Sequence, residues 1–143
     1  MRRRILIVIL GSPLLFGIPL LQSIHGQTCT DDEGMVKSYM QSISTLIGTV
    51  QKESLSDFEK DYHEQSCLSR LTLSLGIVNS LIDCLNKAAK DPADTPAQLA
   101  DIKSKLENYA KLESTLEKDR DSLKAAKDTK SAKSIIEKFV ITV

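Results

Sequence analysis

The chain has 143 residues, the length of one domain, with 19 basic and 19 acidic side chains and two histidines. This balance argues against electrostatic binding of nucleic acid, and no basic stretch is interleaved with aromatic residues, so no nucleic-acid partner is expected. Only three Phe, three Tyr and no Trp are present, so any core depends on aliphatic side chains.

The first 26 residues have the layout of a secretory signal peptide. Arg2, Arg3 and Arg4 precede the apolar run ILIVILGSPLLFGIPLL, and the polar sequence QSIHGQT follows it. We predict cleavage after Gly26. The alternative is an uncleaved membrane anchor, which the prolines within the run disfavour because proline interrupts a helix. Cleavage removes three arginines and no acidic residue, and leaves 117 residues with 16 basic and 19 acidic side chains. The sequence therefore predicts a secreted, extracellular protein with no membrane attachment.

The first helix after this leader is predicted over residues 31–51. Thr30 and Glu33 have the spacing of a capping box, which satisfies free backbone N–H groups at a helix start. The apolar residues that follow recur at intervals of three and one, which places them on one helical face. They are Val36, Tyr39, Met40, Ile43, Leu46, Ile47 and Val50.

A second helix is predicted over residues 56–90. Ser56 and Glu59 again have capping-box spacing, and apolar residues then recur in steps of three and four, as in a heptad seam. They are Leu68, Leu71, Leu75, Val78, Ile82, Leu85 and Ala89. Gly76 weakens a helix by only about 1 kcal/mol relative to alanine, so we expect an unbroken helix, with a bend near Gln65 as the alternative.

Two further helices are predicted, over residues 96–126 and 130–141. The segment KDPADTPAQ ends the preceding helix, and Thr95 with Gln98 forms a capping box with a proline between them. The apolar stripe of the third helix thins beyond Leu116, where we expect it not to be wholly buried. The chain ends in VITV, whose β-branched residues are expected to fray or lie extended.

Together these patterns predict an all-α fold: a small disulfide-stapled bundle of three long amphipathic helices plus a shorter C-terminal helix. Residues 27–143 form a single domain in this prediction, in which each helix buries its apolar stripe against the others. Helices that lie on a lipid surface are a weaker interpretation, because such helices favour basic polar faces and the mature chain is mildly acidic.

Three cysteines allow one disulfide within the chain and leave one sulfur over. If the first two helices form a hairpin that turns near residues 53–55, residues equidistant from the turn lie side by side. The position opposite Cys29 is then near residue 79, within about a turn and a half of Cys84, and a few residues of slack before the first helix let Cys29 reach Cys84. The rival pair, Cys67–Cys84, requires a turn at Gly76, where the sequence is apolar and holds no proline or aspartate. We predict Cys29–Cys84, with Cys67–Cys84, Cys29–Cys67 and full reduction as alternatives.

The cysteine left over by this pairing is Cys67, beside the apolar stripe of the second helix. We expect it to be a packed and unreactive thiol in a monomer, because free cysteines are often buried. A homodimer linked through Cys67 is the alternative.

No set of catalytic or metal-binding residues stands out in the mature chain. Its one histidine, His63, shares a helix face with Glu59, but two ligands are too few for a transition-metal site. We expect His63 to be a solvated helix residue. No phosphate-binding glycine loop, Cys-x-x-Cys or Gly-x-Ser-x-Gly motif is present, so neither enzymatic activity nor a metal or cofactor is predicted.

These observations favour a secreted helical interaction protein that binds another extracellular protein. In size, leader and helical content the chain is similar to small secreted salivary proteins of blood-feeding insects, some of which inhibit host proteases or complement. The resemblance implies an inhibitor or modulator of an extracellular protein partner. The candidate interaction surface is the charged third helix, with Lys103, Lys111 and Lys118.

The alternative function is that of an extracellular carrier of a small apolar ligand or lipid. The ligand would lie between the helices, with walls of Leu, Ile, Val and Met. Tyr39, Tyr62 and Tyr109 would then supply the polar groups of the site.

Overall fold

The computed structural model describes the backbone of residues 24–139 and the side chains from Cys29 onward. Four helices form this part of the chain: α1, Ile24–Lys52; α2, Lys60–Ala88; α3, Pro96–Lys124; and α4, Thr129–Glu137. No strand occurs in residues 24–139, and the all-α helical bundle predicted from the sequence is confirmed. The apolar run of the predicted signal peptide and the terminal VITV lie outside the described residues.

The start of α1 differs from the prediction. The chain is already helical at Ile24, the first residue that the structure describes, so Thr30 and Glu33 lie inside α1 and do not cap it. The Glu33 carboxylate instead accepts a hydrogen bond from Lys105 of α3, with 2.8 Å between the two atoms. The early start also places Cys29 on a regular helix, where its side chain meets α2.

The start of α2 also differs from the prediction. The helix begins at Lys60, four residues late, and no side chain caps it. Ser54 organises a turn before it, because the N–H groups of Asp57 and Phe58 donate to the Ser54 carbonyl at 3.2 and 3.1 Å. Ser56 is held in this turn by a hydroxyl contact of 2.7 Å with Ser54, so it is unable to serve as a helix cap.

The start of α3 is confirmed at the level of single hydrogen bonds. The Thr95 hydroxyl accepts the backbone N–H of Gln98 at 3.3 Å, and the Gln98 side-chain oxygen accepts the N–H of Thr95 at 2.8 Å. The helices α2 and α3 each end two residues before the predicted position, and α4 ends four residues before it.

α2 is the central helix of the bundle. It packs against α1, α3 and α4, whereas within the described residues no Cα atom of α1 comes within 8 Å of one in α3. It runs through Gln65 and Gly76 as one helix, so the unbroken second helix is confirmed. Its fully buried side chains follow alternating steps of four and three: Cys67, Leu71, Ser74, Val78 and Leu81. By length and composition α2 is also able to cross a membrane, a property that core helices of bundles share.

α4 closes one end of the bundle. It contacts all three long helices and buries Ala132 and Ile136 completely. The Gln51 side chain near the end of α1 donates to the Glu137 carbonyl at 3.4 Å. Leu123 of α3 is fully buried, so the expectation that the stripe beyond Leu116 is not wholly buried is wrong at this residue.

The disulfide Cys29–Cys84 ties α1 to α2 at the opposite end, with 5.8 Å between the Cα atoms. The same register is seen in the middle of the hairpin, where Arg70 donates to the Ser42 carbonyl at 2.8 Å. Both pairs are nearly symmetric about residue 56, as expected for an antiparallel hairpin. The preferred pairing is confirmed, and the rival Cys67–Cys84 is wrong because the helix does not turn between them.

Candidate functional site at the disulfide end of the bundle

A cleft of about 410 Å³ lies at the disulfide end, where the ends of α1, α2 and α3 meet. The nine-residue α4 packs against the long helices at the other end, and the described lining residues come from α1, α2, α3 and the loop between α2 and α3. Leu85 and Ala88 of α2 and Ile102 of α3 contribute its apolar lining. This volume lies within the range of about 300–1,000 Å³ that is typical of small-molecule pockets.

The loop between α2 and α3 forms one wall of the cleft. The N–H of Asp91 donates to the Ala88 carbonyl at 2.9 Å, and the Asp91 carboxylate accepts the N–H of Ala93 at 2.9 Å. A further turn bond joins the Asp94 N–H to the Asp91 carbonyl at 3.3 Å. These bonds, together with the Thr95 cap, hold Asp91 and Asp94 at defined positions in the lining.

The rim of the cleft carries more negative than positive charge. Among the described lining residues, four provide carboxylates and one provides an ammonium group: Glu33, Asp91, Asp94, Asp101 and Lys105. The Lys105 nitrogen is already engaged, at 2.8 Å from Glu33 and 3.4 Å from Asp101, and its hydrogen bond to Glu33 raises the pKa of Lys105. Asp91 and Asp94 form no ion pair with any described residue.

The lysines predicted to form an interaction surface lie outside this cleft. Lys103, Lys111 and Lys118 are all exposed on α3, and at 3.6 residues per turn they fall within an arc of about 80°. None of them forms an ion pair with a described residue. They therefore share one side of α3 and are distinct from the residues that line the cleft.

Cys67 is free and fully buried in the first third of α2. Burial raises the pKa of its thiol to about 12, so the thiol is protonated and unreactive at neutral pH. This arrangement matches the packed thiol predicted from the sequence. A disulfide between two copies through Cys67 requires the bundle to open first.

The expectation that His63 is solvated is wrong. Its side chain is buried, with Nε2 at 2.9 Å from a Glu53 carboxylate oxygen, and its ring stacks on Phe58 with 4.9 Å between centroids. The segment between α1 and α2 places Glu53 and Phe58 against the first turn of α2, which the helical pattern alone does not indicate. The burial of His63 and its stacking on Phe58 indicate a packing role.

The tyrosines proposed as polar groups of a ligand site do not line the cleft. Tyr62 is 66% exposed, and Tyr39 and Tyr109 are half-buried against the core. The residues that sequence reasoning missed are Asp91 and Asp94, because aspartates in KDPADTPAQ are explained by their role in ending a helix. The density of carboxylates in this short loop is the signal that was available.

No family model, curated protein or solved structure matches this chain. Its function is therefore argued from the geometry of the described residues, in which the cleft joins an apolar lining to a charged rim.

Proposed function

We propose that this protein is an extracellular, non-catalytic binding protein that holds a small ligand in the cleft at the disulfide end. The observation that carries the proposal is the cleft itself, a volume of about 410 Å³ with apolar and charged linings side by side. Small-molecule sites combine an apolar lining with a few polar groups that orient the ligand. This proposal builds on the carrier hypothesis of the sequence analysis and takes the cleft as the ligand site.

The lining chemistry supports binding over catalysis. The described lining residues supply carboxylates, an ammonium group, an amide and a hydroxyl, but no histidine and no free thiol. Covalent catalysis needs a nucleophile activated by an adjacent base or by a shifted pKa. The extracellular location rests on the signal-peptide pattern, and the Cys29–Cys84 disulfide is consistent with an oxidising compartment.

Native mass spectrometry of the full chain, secreted from eukaryotic cells and exposed to extracellular fluid, tests the proposal. We expect a non-covalent adduct of small-molecule mass that is lost on denaturation. Ala97 lines the cleft from an exposed position in the first turn of α3, so Ala97→Phe is expected to occlude the cleft and abolish the adduct.

The matched control is Ala100→Phe, which adds the same side chain at an exposed position of α3 outside the cleft. It is expected to retain the adduct. The proposal fails if the wild-type chain shows only its own mass, or if Ala97→Phe retains the adduct as fully as Ala100→Phe does.

A second candidate function is the binding of an acidic extracellular protein through α3. The observation that favours it is the side shared by Lys103, Lys111 and Lys118, three exposed ammonium groups without an ion pair among the described residues. Complementary charge across an interface accelerates association and selects the partner.

Capture of a partner from extracellular fluid tests this second function. Reversal of the three α3 lysines to glutamate is expected to abolish capture. The control reverses the exposed lysines Lys37, Lys52 and Lys87 on α1 and α2, which changes the net charge equally and is expected to leave capture intact. Unchanged capture by the α3 variant excludes this surface.

A further inference from the structure

Resting on the proposed function, we propose further that the ligand of the cleft is an organic cation, a molecule with an apolar body and a positively charged nitrogen. The two linings suit the two parts of such a molecule. Leu85, Ala88 and Ile102 offer aliphatic surface, and Asp91 and Asp94 stand at the edge of the same cleft.

The negative charge of the rim is not neutralised by the described residues. Lys105 is bound to Glu33 and Asp101, at 2.8 and 3.4 Å, so its charge is shared between two of the four carboxylates. Asp91 and Asp94 are both half-buried and form no ion pair with a described residue. A cleft lined by one sign of charge concentrates ligands of the opposite sign.

Three other ligand classes fit this lining less well. A fatty acid would bring its carboxylate against four carboxylates and one ammonium group that is already engaged. A chelated metal ion lacks ligands, because the described residues contain no group of three His, Cys, Asp or Glu placed to hold one. A neutral apolar molecule would use the aliphatic lining but would desolvate carboxylates without a compensating partner.

Three indole compounds with nearly the same apolar body but different charge test the inference. At neutral pH tryptamine is a cation, tryptophol is neutral and indole-3-propionate is an anion. The protein contains no tryptophan, so indole fluorescence excited where tyrosine absorbs little reports the ligand alone. We expect the full oxidised chain to bind tryptamine at least about tenfold more tightly than the other two, with affinity falling as salt screens the attraction.

Two double variants test whether the carboxylates of Asp91 and Asp94 are responsible for tryptamine affinity. Asp91→Asn with Asp94→Asn removes two charges, retains side-chain size and keeps an oxygen that accepts the N–H of Ala93. We expect tryptamine affinity to fall about tenfold and tryptophol affinity to stay unchanged. The control, Glu107→Gln with Glu117→Gln, removes the same charge from exposed positions outside the cleft and should keep tryptamine affinity within about twofold.

Each remaining outcome overturns the inference. The inference of a cation fails if tryptophol or indole-3-propionate binds as tightly as tryptamine or more tightly. The proposed function still stands in that case if Ala97→Phe abolishes the binding. The inference also fails if the control, Glu107→Gln with Glu117→Gln, loses as much tryptamine affinity as the aspartate variant. The net charge of the protein, and not the carboxylates of the cleft, would then explain the loss. If none of the three compounds binds, the cation is excluded, and the adduct experiment with Ala97→Phe alone decides the proposed function.

Discussion

Cys67 has no exposed surface, and burial raises the pKa of its thiol to about 12. We therefore expect no reaction with a thiol reagent in the native state, and reaction only as fast as the bundle opens. Labelling rates followed from water into increasing urea measure this directly. Rapid labelling in water, or a disulfide-linked dimer on a non-reducing gel, would contradict the buried thiol and favour the homodimer.

Asp119 of α3 has one carboxylate oxygen that is buried without a hydrogen-bond partner in the described structure. Desolvation raises the pKa of Asp119, so the folded chain binds this proton more tightly than the unfolded chain. Ionised Asp119 therefore destabilises the fold. The penalty begins as the pH rises through the pKa of the unfolded state and is complete above the pKa of the folded state.

From this pKa shift we expect Asp119→Asn to raise the urea midpoint at neutral pH. The gain should shrink towards zero at acidic pH, where the wild-type carboxyl is protonated in both states. Asp121→Asn is the control, since Arg120 lowers the pKa of that exposed carboxylate by a hydrogen bond and removal of its charge offers no gain. A gain for Asp119→Asn that is independent of pH would rule out ionisation as the cause.

For single residues, the sequence predicts a helix cap correctly only where no other contact engages the capping residue. The box at Thr95 forms as predicted, because Thr95 and Gln98 are hydrogen-bonded to each other. The box predicted at Thr30 fails because α1 is already helical before Thr30, and Glu33 instead contacts Lys105. The box predicted at Ser56 fails because Ser56 belongs to a turn around Ser54. Lys105 is distant in sequence and the turn around Ser54 is not helical, so the spacing of residues along the chain does not predict either contact.

At the scale of elements, α4 packs against all three long helices, whereas in the described residues no Cα atom of α1 lies within 8 Å of one in α3. Ile136 is fully buried in this junction, whereas its neighbour Ile135 is half-buried. We expect Ile136→Ala to cost about 2–5 kcal/mol of unfolding free energy, as large-to-small core changes do, and Ile135→Ala to cost clearly less. Urea denaturation of both variants tests this, and equal costs would show that α4 does not close the bundle as described.

The disulfide stabilises the hairpin of α1 and α2 by closing a long loop in the unfolded chain. A sequence separation of 55 corresponds to about 4 kcal/mol in the chain-entropy model. We expect Cys84→Ser to cost about 2–5 kcal/mol, and Cys67→Ser about 1–2 kcal/mol, because the second change only places a hydroxyl in an apolar interior. Denaturant titration distinguishes the two, and a larger loss for Cys67→Ser would contradict the assignment of roles.

For whole elements the sequence is a better guide than for their ends. The heptad-like seam of α2 and the mirror symmetry of Cys29 and Cys84 about the turn predict an unbroken helix and its disulfide, and both are found. The burial of Leu123 is not predictable in the same way. It depends on α4 packing back against α3, which is a tertiary contact that the thin stripe of α3 does not indicate.

At the scale of the whole molecule, the cleft lies at the end of the bundle that α4 does not cover. The sequence predicts three long helices and one short one, but it misplaces several of their ends and does not indicate which end of the bundle the short helix covers. The cleft is therefore not visible before the fold is assembled. Taken one by one, the lining residues are typical helix-capping, turn and surface residues, and only the assembled ends of α1, α2 and α3 bring them together.

The disulfide and α4 hold opposite ends of the same bundle, so a loss of stability at the cleft end is comparable with a similar loss at the remote end. Cys29 lines the cleft, and its bond to Cys84 holds the first turns of α1 as one wall. We expect Cys29→Ser with Cys84→Ser to weaken tryptamine binding strongly, because that wall loosens locally.

Ile136→Ala is the matched control, since a stability loss of similar size, about 2–5 kcal/mol, falls at the end remote from the cleft. Fluorescence titration of both variants at a temperature where both remain folded is the measurement. Retention of affinity by Ile136→Ala and its loss in the cysteine variant would place the ligand against the disulfide wall. Equal loss in both variants would mean that binding follows global stability, and unchanged affinity in the cysteine variant would mean that the wall is not needed.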